Sequence, residues 1–213
     1  MGDGRVLLRD IVVDLGDGSR WREGLEALAP LIATALGMGE RETLSYTYSL
    51  GNGRGRLTSV RYHRTFDGVP LIWGDVFIKV GKGGRIVGAR PAATTPIELP
   101  TAVPTLSVED AERIVRERFA AGDLAALEDQ LLHRPWVQDR AALEVFAPDD
   151  RAWLVWNCSL TVPVPGLGAH VLIDAHTGDM VTSWWFGCFN PGPSFKEMML
   201  PPRQDVPADT PPS

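Results

Sequence analysis

Cysteine is nearly absent from this chain: Cys158 and Cys188 are the only two in 213 residues. That excludes a multiply disulfide-bonded scaffold and a four-cysteine zinc site, and leaves open whether the two pair with each other. Histidine is almost as scarce, with His63, His133, His170 and His176. No His-Glu-x-x-His helix, Gly-x-Ser-x-Gly elbow, Walker A loop or Cys-x-x-Cys pair occurs. No apolar run is long enough to cross a bilayer. The opening "MGDGRVLLRDIVVDLGDG" is broken by Arg9, Asp10 and Asp14, so it lacks the apolar core of a signal peptide. The expectation is a cytoplasmic protein, or a secreted one if a leader has been removed. Positive charge is short as well: 21 Lys and Arg against 27 Asp and Glu, a net charge of -6, which argues against nucleic acid as partner.

What is present is an ordinary globular balance, with 44% hydrophobic and 23% charged residues. Val6 to Leu15 reads as a strand. Ser19 is placed to cap a helix whose apolar stripe is Trp21, Leu25, Leu28, Ile32 and Leu36, and Gly37 ends it. Strand-like segments follow at Thr43 to Leu50, Leu57 to Phe66, Leu71 to Val80 and "RIVGAR", divided by "GNGRG", Asp67-Gly68 and "GKGG". Arg90 to Pro104 holds four prolines and no periodicity, the mark of a linker or an extended crossing segment.

The same grammar then repeats. Ser107 caps a helix with Glu109 and Asp110 in its first turn and Val108, Ala111, Ile114, Val115 and Phe119 on its apolar face; Gly122 stops it. "DLAALEDQLLHR" reads as a second, shorter helix. Strands are expected at Ala142 to Phe146, Ala152 to Val162, Ala169 to Ala175 and Met180 to Trp185. The tail after Phe189 is proline-rich and aperiodic, expected to be extended or disordered. The fold class is therefore α+β: two modules, each a curved antiparallel sheet packed on a helix. Residues 1–89 form the first module, 90–104 the linker, 105–189 the second module and 190–213 the tail.

Candidate chemistry is thin. His170, Asp174 and His176 share strand parity, but six residues at about 3.3 Å each hold the histidines roughly 20 Å apart, too far for one metal ion. Cys158 with His170 or His176 has the residue types of a nucleophile pair, yet Cys158 sits in "AWLVWNCSLTV", where a small buried hydrophobe is expected. The reading is a non-enzyme with no catalytic residue, no metal and no cofactor.

Apolar surface is the stronger signal. In "VRYHRTFDGVPLIWGDVFIKV", Ile72, Val76, Ile78 and Val80 fall on one parity while Leu71, Trp73 and Phe77 fall on the other, so something must cover both faces. Trp184 and Trp185 are adjacent and must point to opposite sides of their strand. Leu71, Trp73, Phe77, Trp184 and Trp185 are accordingly the candidates for a partner-binding surface.

The stretch from Val60 through Arg61, Tyr62, Gly68-Val69-Pro70 and Gly74-Asp75 to Gly84, Ile86 and Val87 resembles the N-terminal propeptide (FTP) module of thermolysin- and fungalysin-type metallopeptidases. "TLSVEDAERIVRERF", "AWLVWNCSLTV" and "HVLIDAHTGDMVTSWW" resemble the PepSY-type module that follows it, with Asp174-Ala175 and Thr177-Gly178 fitting an Asp-Ala-x-Thr-Gly pattern. The resemblance covers Trp21 to Trp185. It implies that Tyr62, Gly68, Val69, Pro70, Gly74, Asp75, Asp174 and Gly178 are shape determinants. It also implies a stand-alone propeptide-like protein that binds a thermolysin-like metallopeptidase as inhibitor or folding assistant. The alternative is an interaction scaffold with a non-peptidase partner. His63-Arg64 stands where relatives tend to carry Gln-Gln, and neither Val6 to Leu15 nor the tail has a counterpart.

Overall fold

The computed structural model describes residues 21–51, 57–81, 85–91, 96–124, 136–148, 151–163 and 167–186. The strand expected at Val6 to Leu15, the Ser19 cap, Gly84, His133, Cys188 and the proline-rich tail lie outside them. So does the short helix expected after Gly122, apart from Asp123 and Leu124, which continue the turn.

Within the described residues the chain is α+β, with two helices and two antiparallel sheets. The first unit is α1 (Trp21–Ala35), β1 (Glu42–Gly51), β2 (Leu57–Phe66), β3 (Val69–Pro70), β4 (Val76–Val80) and β5 (Ile86–Pro91). Its sheet runs β1-β2-β4-β5, with β3 also on β2. The second unit is α2 (Val108–Ala121), β6 (Val137–Gln138), β7 (Ala142–Phe146), β8 (Trp153–Thr161), β9 (Gly168–Asp174) and β10 (Met180–Phe186). Its sheet runs β10-β9-β8-β6, with β7 also on β8.

Each helix covers one face of its own sheet. Leu25, Ala29 and Ile32 of α1 pack on Leu44, Val60, Tyr62, Val76, Ile78 and Ile86. Pro30 inside α1 removes one backbone donor. In the same turn the Leu25 carbonyl accepts the buried Tyr62 hydroxyl at 2.7 Å. Ala111 and Val115 of α2 pack on Cys158, Leu160, Ala169, Val171 and Ile173. The α2 caps follow the sequence: Ser107 Oγ accepts from Asp110 N, and Gly122, at φ 80°, is the left-handed C-cap.

The expected strand Leu71 to Val80 is interrupted. After the left-handed Asp67-Gly68 turn, Val69 and Pro70 pair with Phe66 and Thr65. Residues 71–75 then leave the sheet, with Trp73 at φ 54° and Gly74 N donating to Leu71 O. Alternation holds only along a continuous strand, so the two parities expected for this stretch do not carry across the break. Leu71 and Ile72 are both buried. The excursion docks on the second unit: Leu71 forms a parallel bridge with Val145, and Ile72 N donates to Val145 O at 2.9 Å.

The crossing segment docks too. Ile97 and Leu99 enter one core cluster with Phe66, Leu71, Val145, Leu154 and Ala175. A loose tether would not bury alternate residues; this is extended chain packed between the two sheets.

A charge pair lies at the centre of the junction. Arg64, 1% exposed, sits on the buried parity of β2 between Tyr62 and Phe66. Its Nε and Nη2 both donate to Glu42 Oε1. Glu42 Oε2 accepts from Gly39 N at 2.7 Å and Ile97 N at 3.2 Å. Removing one partner strands the other charge in the core. Glu42→Ala is expected to cost about 3–5 kcal/mol in urea unfolding, and Glu42→Leu with Arg64→Met to recover most of that loss. Gly74 is equally constrained, because an added Cβ would lie 2.3 Å from Leu71 Cβ. Gly74→Ala is expected to destabilise by about 1–3 kcal/mol, whereas Gly88→Ala, in open space, should not.

Candidate functional site

The five surface candidates separate once placed. Leu71 is 2% exposed inside the inter-unit core and is corrected from surface to core. The cause is the break at residues 71–75, which turns it towards Val145. Trp73 packs on Phe146 and Trp184, with ring centroids 5.8 and 4.9 Å away. Trp184 in turn lies 5.0 Å from the His170 ring. Ile72, Phe146, Val155 and Leu172, flanked by Trp73, Trp153 and Trp184, thus fill the face of the second sheet opposite α2. Trp185 packs on the α2 side. Phe77 alone stands well out, at 41% exposure on the outer face of the first sheet.

The shape determinants have local physical roles. Asp174 Oδ1 accepts from His176 N at 2.8 Å and Thr177 N at 3.0 Å, while Gly178 takes φ 80°. The turn places Ala175, fully buried, where its carbonyl accepts from Thr105 N and Leu106 N. The Asp-Ala-x-Thr-Gly pattern therefore pins the crossing segment to the second sheet. In the first unit, Asp75 accepts from Arg61 and faces His63 Nδ1 at 3.4 Å. Desolvation pushes the Asp75 carboxyl up, but the hydrogen bonds from Arg61 and His63 outweigh it and hold the group below its ordinary range.

A polar relay lies across from this pair, on the same face of the second sheet as Trp184. Asn157 Nδ2 donates to Glu144 Oε2 at 2.5 Å, and Asn157 Oδ1 lies 2.9 Å from His170 Nδ1. Since the Asn157 amide nitrogen faces Glu144, its oxygen is the acceptor and His170 Nδ1 carries the proton. Ser159 Oγ is 3.2 Å from the same nitrogen. Burial raises the Glu144 carboxyl, against the Asn157 hydrogen bond and the charge of His63 from the first unit. Burial lowers His170. No sequence reasoning singled out Glu144, Asn157 or Ser159; the detectable signal was polar residues at alternate positions of an otherwise apolar strand.

The arrangement does not assemble a cysteine nucleophile. His170 pairs with Ser159 across the ladder, and Cys158 pairs with Val171, so Cys158 and His170 point to opposite faces. Burial, then Glu112, pushes the Cys158 thiol up to about 12, the reverse of thiolate activation. His176 Nδ1 lies 3.0 Å from Thr105 Oγ1. Among the described residues no group of three or more His, Cys, Asp and Glu is placed to hold a metal ion, and no helix is long and apolar enough to cross a membrane.

No protein-family profile matches the chain. Over 99 residues it is 30% identical to a transglutaminase-activating metalloprotease of Streptomyces mobaraensis, a match taking in 46% of this chain and 13% of that protein. The matched region is thus a small part of the metalloprotease. Among solved structures, the Bacillus megaterium YpeB C-terminal domain is similar over 67% of this chain and 56% of its own, at 16% identity and a TM-score of 0.35.

The relay yields a pH signature. Because burial lowers folded His170, the unfolded chain binds that proton first as pH falls. The His170 contribution is present above the ordinary imidazole range and is lost as pH falls through it. Raised Glu144 runs the other way, costing stability as pH climbs from the ordinary carboxylate range to the folded value. His170→Asn keeps a donor near Nδ1 and removes the titration. Its melting-temperature deficit relative to wild type should shrink between about pH 7.5 and pH 5.5; a constant deficit would contradict the assignment.

Proposed function

We propose that this is a non-catalytic, propeptide-like binding protein whose partner is a thermolysin-like metallopeptidase, which it inhibits or helps to fold. The observation that carries the reading is the 99-residue similarity to a small part of a metalloprotease. Two features support it. The residues around Gly68-Val69-Pro70, Gly74-Asp75 and Asp174 to Gly178, on which the propeptide resemblance rests, act in this fold as turn and junction formers. The polar groups on the outer face of the second sheet are engaged with one another across its strands, and the one described thiol is buried. Such a molecule works by presenting a surface, not by turning over a substrate.

The test is to titrate the full chain against a thermolysin-type zinc peptidase freed of its own propeptide, following cleavage of a fluorogenic peptide. Inhibition saturating at equimolar chain is expected, with a complex on size exclusion. A higher refolding yield of the urea-unfolded peptidase is the expected sign of the folding role. A peptidase that is neither inhibited, complexed nor assisted, and that simply digests the chain, rules this function out.

A further inference from the structure

The outer face of the first sheet is built differently from that of the second. Where the second is filled by Ile72, Trp73 and their neighbours, the first is open in its outer half. A bulge in β1 adds apolar side chains to this face. Tyr46 pairs with Tyr62 on the α1 side, but after the bulge at Thr47 it is Tyr48 that pairs with Arg61, on the outer side. Of the seven large hydrophobic residues exposed among the described residues, four lie on this sheet: Tyr48, Leu50, Phe77 and Val87. Phe77, Lys79, Val87, Gly88 and Ala89 outline an open groove of about 550 Å³. Its floor is bare because Gly88 has no side chain, and a Cβ there would meet nothing within 4 Å. β5 is the end strand of the sheet order, with no strand on its outer side among the described residues.

Charge selects the occupant. Arg61 lies over both the Tyr48 and Phe77 rings and is matched by Asp75. Lys79 lines the groove and makes no salt bridge among the described residues. On a chain of net charge -6, this face carries, among the described residues, a cation with no salt bridge beside exposed apolar side chains. We propose that the groove between β4 and β5 receives an extended segment of a protein partner whose groove-facing side chains, every second residue, are apolar and acidic in turn. The apolar side chains seat between Phe77 and Val87 over Gly88, a carboxylate on the same face of the segment meets Lys79, and the segment's backbone lies along the edge of β5, which carries no strand among the described residues. The assignment rests on the partner-binding reading above but not on the partner's being a peptidase.

The probe is a short fluorescein-labelled peptide with valine and glutamate in turn at every second position and threonine between them; lysine replaces glutamate in the control. Fluorescence anisotropy with the full chain should show the acidic peptide bound and the basic one at least about tenfold weaker. Gly88→Leu fills the groove, and its backbone is outside the left-handed region. It should keep the wild-type melting temperature and lose about tenfold or more in affinity. Lys79→Glu should reverse the preference between the peptides. Equal binding of both peptides, or a folded Gly88→Leu variant that binds as wild type, overturns the proposal. So does a wild-type dimer in ultracentrifugation that Gly88→Leu dissolves, since a second copy would then own the face. If wild type and Gly88→Leu inhibit a peptidase equally, this surface is wrong and the peptidase reading stands. If peptide binding depends on Gly88 and Lys79 but no peptidase is inhibited, the surface stands and the peptidase reading falls.

Discussion

Arg64 is a cation where the sheet has no water to offer it, and the rest of the junction is arranged around that fact. An unpaired guanidinium in such a place would cost several kcal/mol, so its partner must be buried with it and fully hydrogen-bonded. Glu42 meets both conditions by receiving two donors from Arg64 and one each from Gly39 and Ile97. Those donors belong to β2, to the turn leaving α1 and to the crossing segment, so one carboxylate registers three pieces of chain that are far apart in sequence. The Arg64 backbone adds a fourth, because its carbonyl accepts from Leu71 N. A Cβ at Gly74 would lie 2.3 Å from Leu71 Cβ and 3.3 Å from Arg64 Cβ, which leaves no room for a side chain. Slipping β2 by one residue would turn Arg64 to solvent and His63 to the core, which undoes all four attachments at once.

That anchoring explains how one unit covers the other. The excursion at residues 71–75 is held on Arg64, and its outward end delivers Leu71 and Ile72 to β7 and Trp73 to the Phe146–Trp184 surface. The crossing segment arrives at the same place from the other direction, held by Glu42 at Ile97 and by Arg41, whose Nη1 donates to Leu99 O at 2.7 Å. Apolar side chains from three sources then share one core. Two small meanders, each with one helix among the described residues to bury one face, gain from the junction, where each lends the other apolar area.

The helices α1 and α2, the caps of α2, the meander order of the described strands and the α+β class were legible in the sequence, because each rests on local signals. Ser107 and Gly122 punctuate α2, and Val60 to Phe66 alternates buried with half-buried positions. The break at residues 71–75 was not legible. A tryptophan at positive φ has no propensity signature, and the excursion is favourable only because β7, some 70 residues later, is there to receive it. The burial of Leu71 followed from that break, so a parity argument run across it put the residue on the wrong side. The Arg64–Glu42 pair left a trace that could have been read: an arginine on the same parity as Val60, Tyr62 and Phe66 requires a buried acceptor. Naming Glu42 as that acceptor needed the β1–β2 register, in which Glu42 faces Phe66 and Leu44 faces Arg64.

The contrast between the two outer faces is the last consequence of this design. The second sheet's outer face has Glu144, Asn157 and His170 bonded to one another and roofed by aromatic rings, so its polar groups are spent on structure. The β1 part of the first sheet's outer face could have been polar had β1 kept its alternation, because Thr43 and Ser45 already point outward there and Thr43 bonds Thr65 across the strands. The bulge at Thr47 changes the parity and places Tyr48 and Leu50 outside. Exposing two large apolar side chains gains nothing for the fold, since each loses the burial it would have had on the α1 side. A register change that works against stability at one end of a strand, in a sheet otherwise well buried, is the pattern expected where a surface is kept for contact with another molecule.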